Sequence, residues 1–318
     1  MTRIAIVGAG AIGGFLAAAL AEAGLSVAIV ARGAHLAEIR SSGLRVESDL
    51  GSWRTRLEAG DDLRGLGDFD ALILTFKAHH WPAFREQLEP FASSTASIVT
   101  MQNGLPFWYV REPPLASVDP DGAIGKLFGD DRVIGGVVHV SGSIVAPGHV
   151  RQSGGVRYVL GDPRGGSNAR VDALADAFRR ARLTPEVDQN VRSTVWLKLV
   201  NNSGLNPVSV LRGITIKPML ADSRARAHVH ALMTETLRVG QSMGVVDEVD
   251  VDERIAYAAR LDDVKTSMLQ DFEQGRALEL DPILGAAIEL GDRYGVAVPH
   301  LRDAYERLRR VSAAGSLQ

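Results

Sequence analysis

The sequence predicts an α/β fold in which a doubly wound sheet is followed by an all-α domain, and three observations carry that reading. A short apolar strand runs into a glycine-rich turn that opens a helix. Further apolar runs are continuous rather than alternating. From Val191 onward the apolar spacing is helical almost throughout. At 318 residues the chain exceeds the size at which one core usually stops growing. Two domains are therefore expected, 1–187 and 188–318, with the boundary near Asp188.

In order along the chain, Arg3 to Val7 reads as a strand, Gly8 to Gly14 as a turn, Phe15 to Ala23 as a helix ending at Gly24, and Ser26 to Ala31 as a second strand. Gly43 to Ala59 alternates polar and apolar residues around Gly51, which suits an antiparallel hairpin at the periphery of the sheet. The continuous apolar runs Ala71 to Phe76 and Ser97 to Met101 suit parallel strands buried on both faces. Arg132 to Gly161, punctuated by Gly142, Pro147-Gly148 and Gly154-Gly155, extends the sheet with antiparallel strands. Ala169 to Ala181 has a helical period, Thr184 to Val187 suits a last short strand, and the tail after Arg310 is expected to fray.

Composition excludes several classes. Hydrophobic residues make up 46% and charged residues 23%, as in ordinary globular proteins. The net charge of -3, with arginines spread along the chain, gives no electrostatic reason to expect nucleic acid as a partner. Cysteine is absent, which removes disulfides, thiolate nucleophiles and Cys-ligated metals. Met1-Thr2-Arg3 leads into an apolar run too short for a signal peptide or a membrane span, so a cytoplasmic protein with no membrane partner is expected. The pairs His79-His80 and His228/His230 lack the same-face helical spacing of metal ligands; surface or capping roles are expected, and no metal. The charged run Tyr305 to Arg310 reads as a solvated terminal helix that could contact another subunit, which leaves a homodimer open.

Gly8-Ala9-Gly10-Ala11-Ile12-Gly13 matches G-x-G-x-x-G between a strand and a helix. There glycines permit a tight turn, close approach to a pyrophosphate and helix–sheet packing, and the helix N-terminus offers its N–H groups. The expected first domain is thus of the Rossmann, dinucleotide-binding type. A carboxylate at the end of the second strand would favour NAD. Instead the strand runs into Arg32, whose cation suits a 2′-phosphate, so NADP (NADPH) is the expected cofactor unless Arg32 is an ordinary solvated arginine. Lys77 and Asn103 follow the next two strands at the carboxyl ends where ligands bind in open α/β sheets.

In the helical half, Lys198 interrupts the apolar stretch Val195 to Val200, and a buried ammonium needs partners that enzymes exploit. Asn202 and Asn206 lie four and eight positions further on and project from nearly the same helix face, although Pro207 is expected to strain or end that helix. A carboxylate partner must come from elsewhere, and spacing alone leaves Asp271, Glu279 and Asp281 open.

Over nearly its whole length the chain resembles the ketopantoate reductase (2-dehydropantoate 2-reductase) family. The resemblance lies in the Gly8 loop, Thr75-Phe76-Lys77-Ala78, Gln102-Asn103-Gly104, Trp196-Leu197-Lys198-Leu199 with Asn202 and Asn206-Pro207, Ser267-Met268-Leu269-Gln270-Asp271, Glu279-Leu280-Asp281 and Gly295-Val296-Ala297-Val298-Pro299. It implies a Rossmann domain joined to a helical domain like the C-terminal domain of 6-phosphogluconate dehydrogenase, with catalysis in the cleft between them. It further implies Lys198 as general acid and Glu279 as active-site carboxylate, and Asn103, Asn202, Asn206 and Ser267 as substrate contacts. Gly8, Ala9, Gly10, Ala11, Ile12, Gly13, Arg32, Lys77 and Asn103 would then line the cofactor. The implied reaction is NADPH-dependent reduction of 2-dehydropantoate to pantoate, a step of pantothenate biosynthesis.

One departure stands out. After Asn103-Gly104 the chain carries Phe107-Trp108-Tyr109 and a turn-rich stretch to Gly122, an insertion that could lid the cleft or decorate it. It motivates an alternative, a D-2-hydroxyacid dehydrogenase acting on an aryl or branched 2-oxo acid. A non-catalytic NADP-binding sensor is a third reading.

Overall fold

The computed structural model describes residues 3–260 and 263–314. The chain divides into two compact units. The first comprises the residues up to Gln102 together with Ala123–Arg192, and the second comprises Asn103–Gly122 with the chain from Ser193 onward.

The first unit holds one ten-stranded sheet. In chain order its elements are β1 (Arg3–Val7), α1 (Ala11–Glu22), β2 (Ser26–Val30), α2 (Gly33–Ser42), β3 (Leu44–Ser48), β4 (Gly51–Thr55), β5 (Glu58–Gly60), β6 (Ala71–Leu74), α3 (Trp81–Leu88), β7 (Ser97–Thr100), α4 (Ala123–Leu127), β8 (Val133–Ala146), β9 (His149–Gly161), α5 (Ala169–Arg180) and β10 (Thr184–Val187). The strands run β4-β3-β9-β8-β7-β6-β1-β2-β5, with β10 beside β9. The block β2, β1, β6, β7 and the start of β8 is parallel throughout, as its continuous apolar runs require, and β8 and β9 form the expected antiparallel extension.

The region around Gly51 departs from the expected single hairpin. Residues 44–55 do pair antiparallel, but Glu58–Gly60 joins β2 at the other end of the strand order. Thr55 and Glu58 are three Cα steps apart, which spans about 11 Å at most. The two ends of the sheet must therefore lie close, and the sheet curls into a half-barrel. Helix α1 occupies the curl: it packs on β1, β2, β3, β4, β8 and β9, and every residue from Gly13 to Leu20 is buried. That explains why its sequence is Gly and Ala with a few large apolar residues rather than amphipathic. A Cβ at Gly14 would stand 2.9 Å from Val150 Cγ2.

The second unit contains α6 (Val191–Arg212, entering from the first unit), α7 (Ile216–Ala221), α8 (Ser223–Ser242), α9 (Val251–Arg260), α10 (Ser267–Glu273), a wide π-type turn at Asp281–Gly285 leading into α11 (Ala286–Arg293), and α12 (Pro299–Ala314). The expected frayed tail is helical to Ala314, and its remainder lies outside the described residues. Helices α6 and α8 cross closely: the Trp196 indole N–H donates to the Thr236 carbonyl at 3.1 Å, and Gly240 leaves no room for a Cβ beside that indole. Helix α6 also runs straight through Pro207. The helix does not end there: the cost of the missing bond to, and the crowding of, the Ser203 carbonyl is offset by the burial of the flanking residues.

The sequence expectation put 103–122 inside a continuous first domain; the segment packs instead within the second unit. The Ala116 and Ser117 N–H groups donate to the Glu289 carboxylate, and Arg293 donates to the carbonyls of Pro113 and Pro114. Phe107, Trp108 and Tyr109 are buried, with the Tyr109 ring 5.8 Å from that of Trp196. The aromatic residues of the insertion are not surface decoration. They fill this unit's core.

Candidate active site

Beyond β1, Gly8 adopts φ +114°, a conformation that glycine alone takes without strain, and the Gly8 and Ala9 N–H groups bond to the Val30 carbonyl. The three loop glycines serve different ends. At Gly13 a Cβ would meet the Gly8 oxygen at 2.0 Å and Thr75 Oγ1 at 2.4 Å, so this glycine seats the helix on the loop. At Gly10 a Cβ would meet nothing within 4 Å, and as the residue capping α1 it makes no side-chain cap bond. The first turn of α1 carries no acidic residue. Open space before a helix N-terminus is the cradle a pyrophosphate fills, so these residues fit a dinucleotide. Thr75, just past β6, donates its hydroxyl to the Gly8 carbonyl at 2.7 Å, which locks the loop to the neighbouring strand.

Arg32 caps α2 just past β2 and is exposed, with its guanidinium 4.7 Å above the Phe84 ring of α3. Phe84 in turn stacks on Phe76 at 4.4 Å. Lys77 follows β6, as expected. Sequence reasoning gave His80 a surface or capping role; it directly precedes α3. Its ring is held below the ordinary imidazole range first by burial and then by the charges of Arg32 and Lys77. The positive field of Arg32 and Lys77 thus reaches His80 and favours its neutral form, and the signal in the sequence was His80 standing three residues after a strand-end lysine. His35 was missed. Its Nδ1 accepts the Gly148 N–H at 2.9 Å, and burial lowers its pKa while the Ala9 carbonyl of the glycine loop opposes the shift.

In the second unit Lys198 lies on α6, with Asn202 half-buried and Asn206 5% exposed one and two turns further along the same stripe. Burial pushes the Lys198 ammonium down to about 8, and the nearby Glu279 carboxylate opposes that fall. Glu279, 8% exposed, immediately precedes the helical turn at Leu280. Its Oε2 stands 3.4 Å from Asn103 Nδ2. Of the three carboxylates left open by spacing, Asp271 pairs with Arg276 at 2.8 Å and Asp281 accepts from the Tyr305 hydroxyl, whereas Glu279 faces Lys198. Lys198, Glu279 and Asn103 are thus brought together. Ser267 opens α10 beside its cap Thr266 and is exposed. Among the described residues no group of three or more His, Asp or Glu is placed to hold a metal, and no helix is long and apolar enough to cross a membrane.

A curled Rossmann-type sheet with a glycine loop, joined to a helical unit that presents a half-buried lysine beside a buried carboxylate, defines a class of oxidoreductases. The chain belongs to the ketopantoate reductase family: the family model described as Ketopantoate reductase PanE/ApbA matches residues 4–165, and its C-terminal counterpart matches residues 190–312. A 2-dehydropantoate 2-reductase of Mesorhizobium japonicum is 40% identical over 318 residues, covering 98% of each chain. The crystal structure of 2-dehydropantoate 2-reductase from Methylococcus capsulatus is 30% identical with a TM-score of 0.83, covering 99% of this chain and 98% of that one. The D-mandelate dehydrogenase structure with NADH and anilino(oxo)acetate, at 21% identity and a TM-score of 0.85, shares the fold over 99% of both chains. The expected family and the expected fold class both hold.

Proposed function

We propose that this protein reduces 2-dehydropantoate to pantoate with NADPH, with Lys198 as the general acid. The observation that carries the proposal is the Lys198–Glu279 pair, an ammonium whose pKa of about 8 keeps it charged yet able to release a proton near neutrality. The 2-dehydropantoate 2-reductase activity of the 40% identical relative supports the choice of substrate.

The cofactor, when bound, supplies a hydride to the 2-oxo carbon. Negative charge then grows on the carbonyl oxygen, where the Lys198 ammonium stabilises it and delivers the proton. Glu279 opposes the effect of burial and keeps Lys198 protonated beforehand. The Asn103, Asn202 and Asn206 amides and the Ser267 hydroxyl are donors that can hold the substrate's carboxylate and hydroxyl groups without titrating. The backbone N–H groups from Gly8 to Gly13 would hold the pyrophosphate. Arg32, with Lys77 beside it, would hold the 2′-phosphate that distinguishes NADPH from NADH.

Steady-state rates with NADPH across a panel of 2-oxo acids test the proposal. The expected result is the highest kcat/KM with 2-dehydropantoate, and a clear preference for phenylglyoxylate would overturn it. Burial of Phe107, Trp108 and Tyr109 in the second unit supports 2-dehydropantoate over an aryl substrate.

A further inference from the structure

The segment carrying Asn103 and the segment carrying Glu279 meet twice. At the side-chain level Asn103 Nδ2 reaches Glu279 Oε2 at 3.4 Å. At the backbone level the Leu105 N–H donates to the Pro282 carbonyl at 2.8 Å. Between these two contacts lies Gly104, with φ +80°. A Cβ there would stand 2.3 Å from the Pro282 oxygen and 2.5 Å from its carbonyl carbon, a clash with backbone that no rotamer change relieves. Pro282 itself belongs to the π-type turn Asp281–Gly285. Such wide turns recur at functional sites because they re-aim neighbouring groups.

From this juxtaposition we infer that Gly104 is a positioning residue for the reaction: its bare Cα lets the Asn103 segment seat on the turn at Pro282, and that seat aims the Glu279 carboxylate at Lys198. Gly104 acts through Asn103 and Glu279. The inference rests on the reading of the chain as a 2-oxo acid reductase with Lys198 as its acid. Any side chain at position 104 must push the two segments apart. The Asn103–Glu279 contact, already 3.4 Å long, is then lost, and Glu279 moves away from the ammonium it supports.

The experiment compares wild type, Lys198→Ala, Gly104→Ala and Gly104→Asn by circular dichroism, thermal melting and kcat and KM across pH, with NADPH and 2-dehydropantoate. Folded Gly104→Ala is expected to lose about 10²-fold in kcat, the scale of a misplacement near 1 Å, with a much smaller change in KM for NADPH. Its alkaline limb should move to lower pH, because Lys198 loses the group that raises it. Asparagine tolerates positive φ but carries the same Cβ, so an equal loss in Gly104→Asn assigns the effect to the close approach. Wild-type kcat and an unmoved limb in a folded Gly104 variant would overturn the inference. Should both variants fail to fold, Pro282→Gly keeps the carbonyl and loosens its turn; a limb moved to lower pH supports the inference and an unmoved limb overturns it. A wild-type enzyme that reduces no 2-oxo acid would sink the functional reading and this inference with it. Loss of activity in Lys198→Ala alone would sink only the role of Gly104.

Discussion

The Asn103 amide nitrogen lies 3.4 Å from Glu279 Oε2, joining side chains 176 positions apart. A neutral donor therefore steadies this carboxylate while its charge remains available to Lys198. If Lys198 is the general acid proposed above, it must be protonated to act, and turnover should fall as pH rises through about 8, the value to which burial lowers its pKa. Glu279→Gln removes a charge that raises this pKa, and the alkaline limb of kcat/KM should shift to lower pH. The loss will then be larger at pH about 8 than at about 6. A limb that stays in place would remove Glu279 from this role.

Lys198→Ala should lower kcat by roughly 10² or more while leaving NADPH affinity almost unchanged. Fluorescence titration of NADPH against the variant, beside its turnover number, separates the two quantities. An unaffected turnover number would assign the proton to another group.

The parts of the architecture that local pattern controls were legible in the sequence. Continuous apolar runs marked β6 and β7, and the glycine spacing marked the turn into α1. What local pattern does not control was illegible. Phe107-Trp108-Tyr109 stood out as a departure from the family pattern whose role was open, because the ring that Tyr109 packs near, Trp196, lies far along the chain. Glu279 could not be told from Asp271 and Asp281 by spacing. Each is an acid near a helix end, and what separates them is set by distant partners, with Arg276 meeting Asp271, Tyr305 meeting Asp281 and Lys198 near Glu279. Of the two outcomes Pro207 allowed, the end of the helix is excluded, because the burial of the helix around it overrides local propensity.

Arg32→Asp should weaken NADPH and favour NADH, because a carboxylate repels a 2′-phosphate and accepts hydrogen bonds from a 2′-hydroxyl. The ratio of kcat/KM for the two cofactors is the measurement. Because the charges of Arg32 and Lys77 help hold His80 below its ordinary range, the same variant should raise the His80 pKa, visible in the ring's NMR titration. An unchanged cofactor ratio would show that the 2′-phosphate is held elsewhere.

Stability should fall in mild acid through His35. Its folded pKa is lowered from 6.5, chiefly by burial. The unfolded chain therefore takes up a proton before the folded one as pH falls, and stability that is constant above about 6.5 is lost from there down toward the folded value. Protonation also removes the Nδ1 lone pair that accepts the Gly148 N–H. In His35→Gln the amide oxygen can still accept that bond but does not titrate. Its Tm should therefore decline less between pH 7 and 5 than the wild type's, with His80 and His228, both lowered by burial, supplying the remaining slope. Parallel declines in the two proteins would remove His35 from this role.

Gly10 and Gly13 should fail in different ways when replaced by alanine. The Gly13 variant must displace the Gly8 carbonyl, 2.0 Å from the new Cβ, and break the seat of α1 on the loop, so its Tm should fall together with its NADPH affinity. The Gly10 variant places a methyl group in open space. Its Tm should stay close to the wild-type value, since a residue with φ -69° is unstrained as alanine. NADPH affinity should nevertheless drop, because the methyl group stands where the pyrophosphate approaches the helix N-terminus. Thermal melts with and without NADPH read both effects at once: Gly10→Ala should melt like the wild type alone but gain less on adding cofactor. A full NADPH-induced shift in Gly10→Ala would mean that the cofactor does not pass over this glycine.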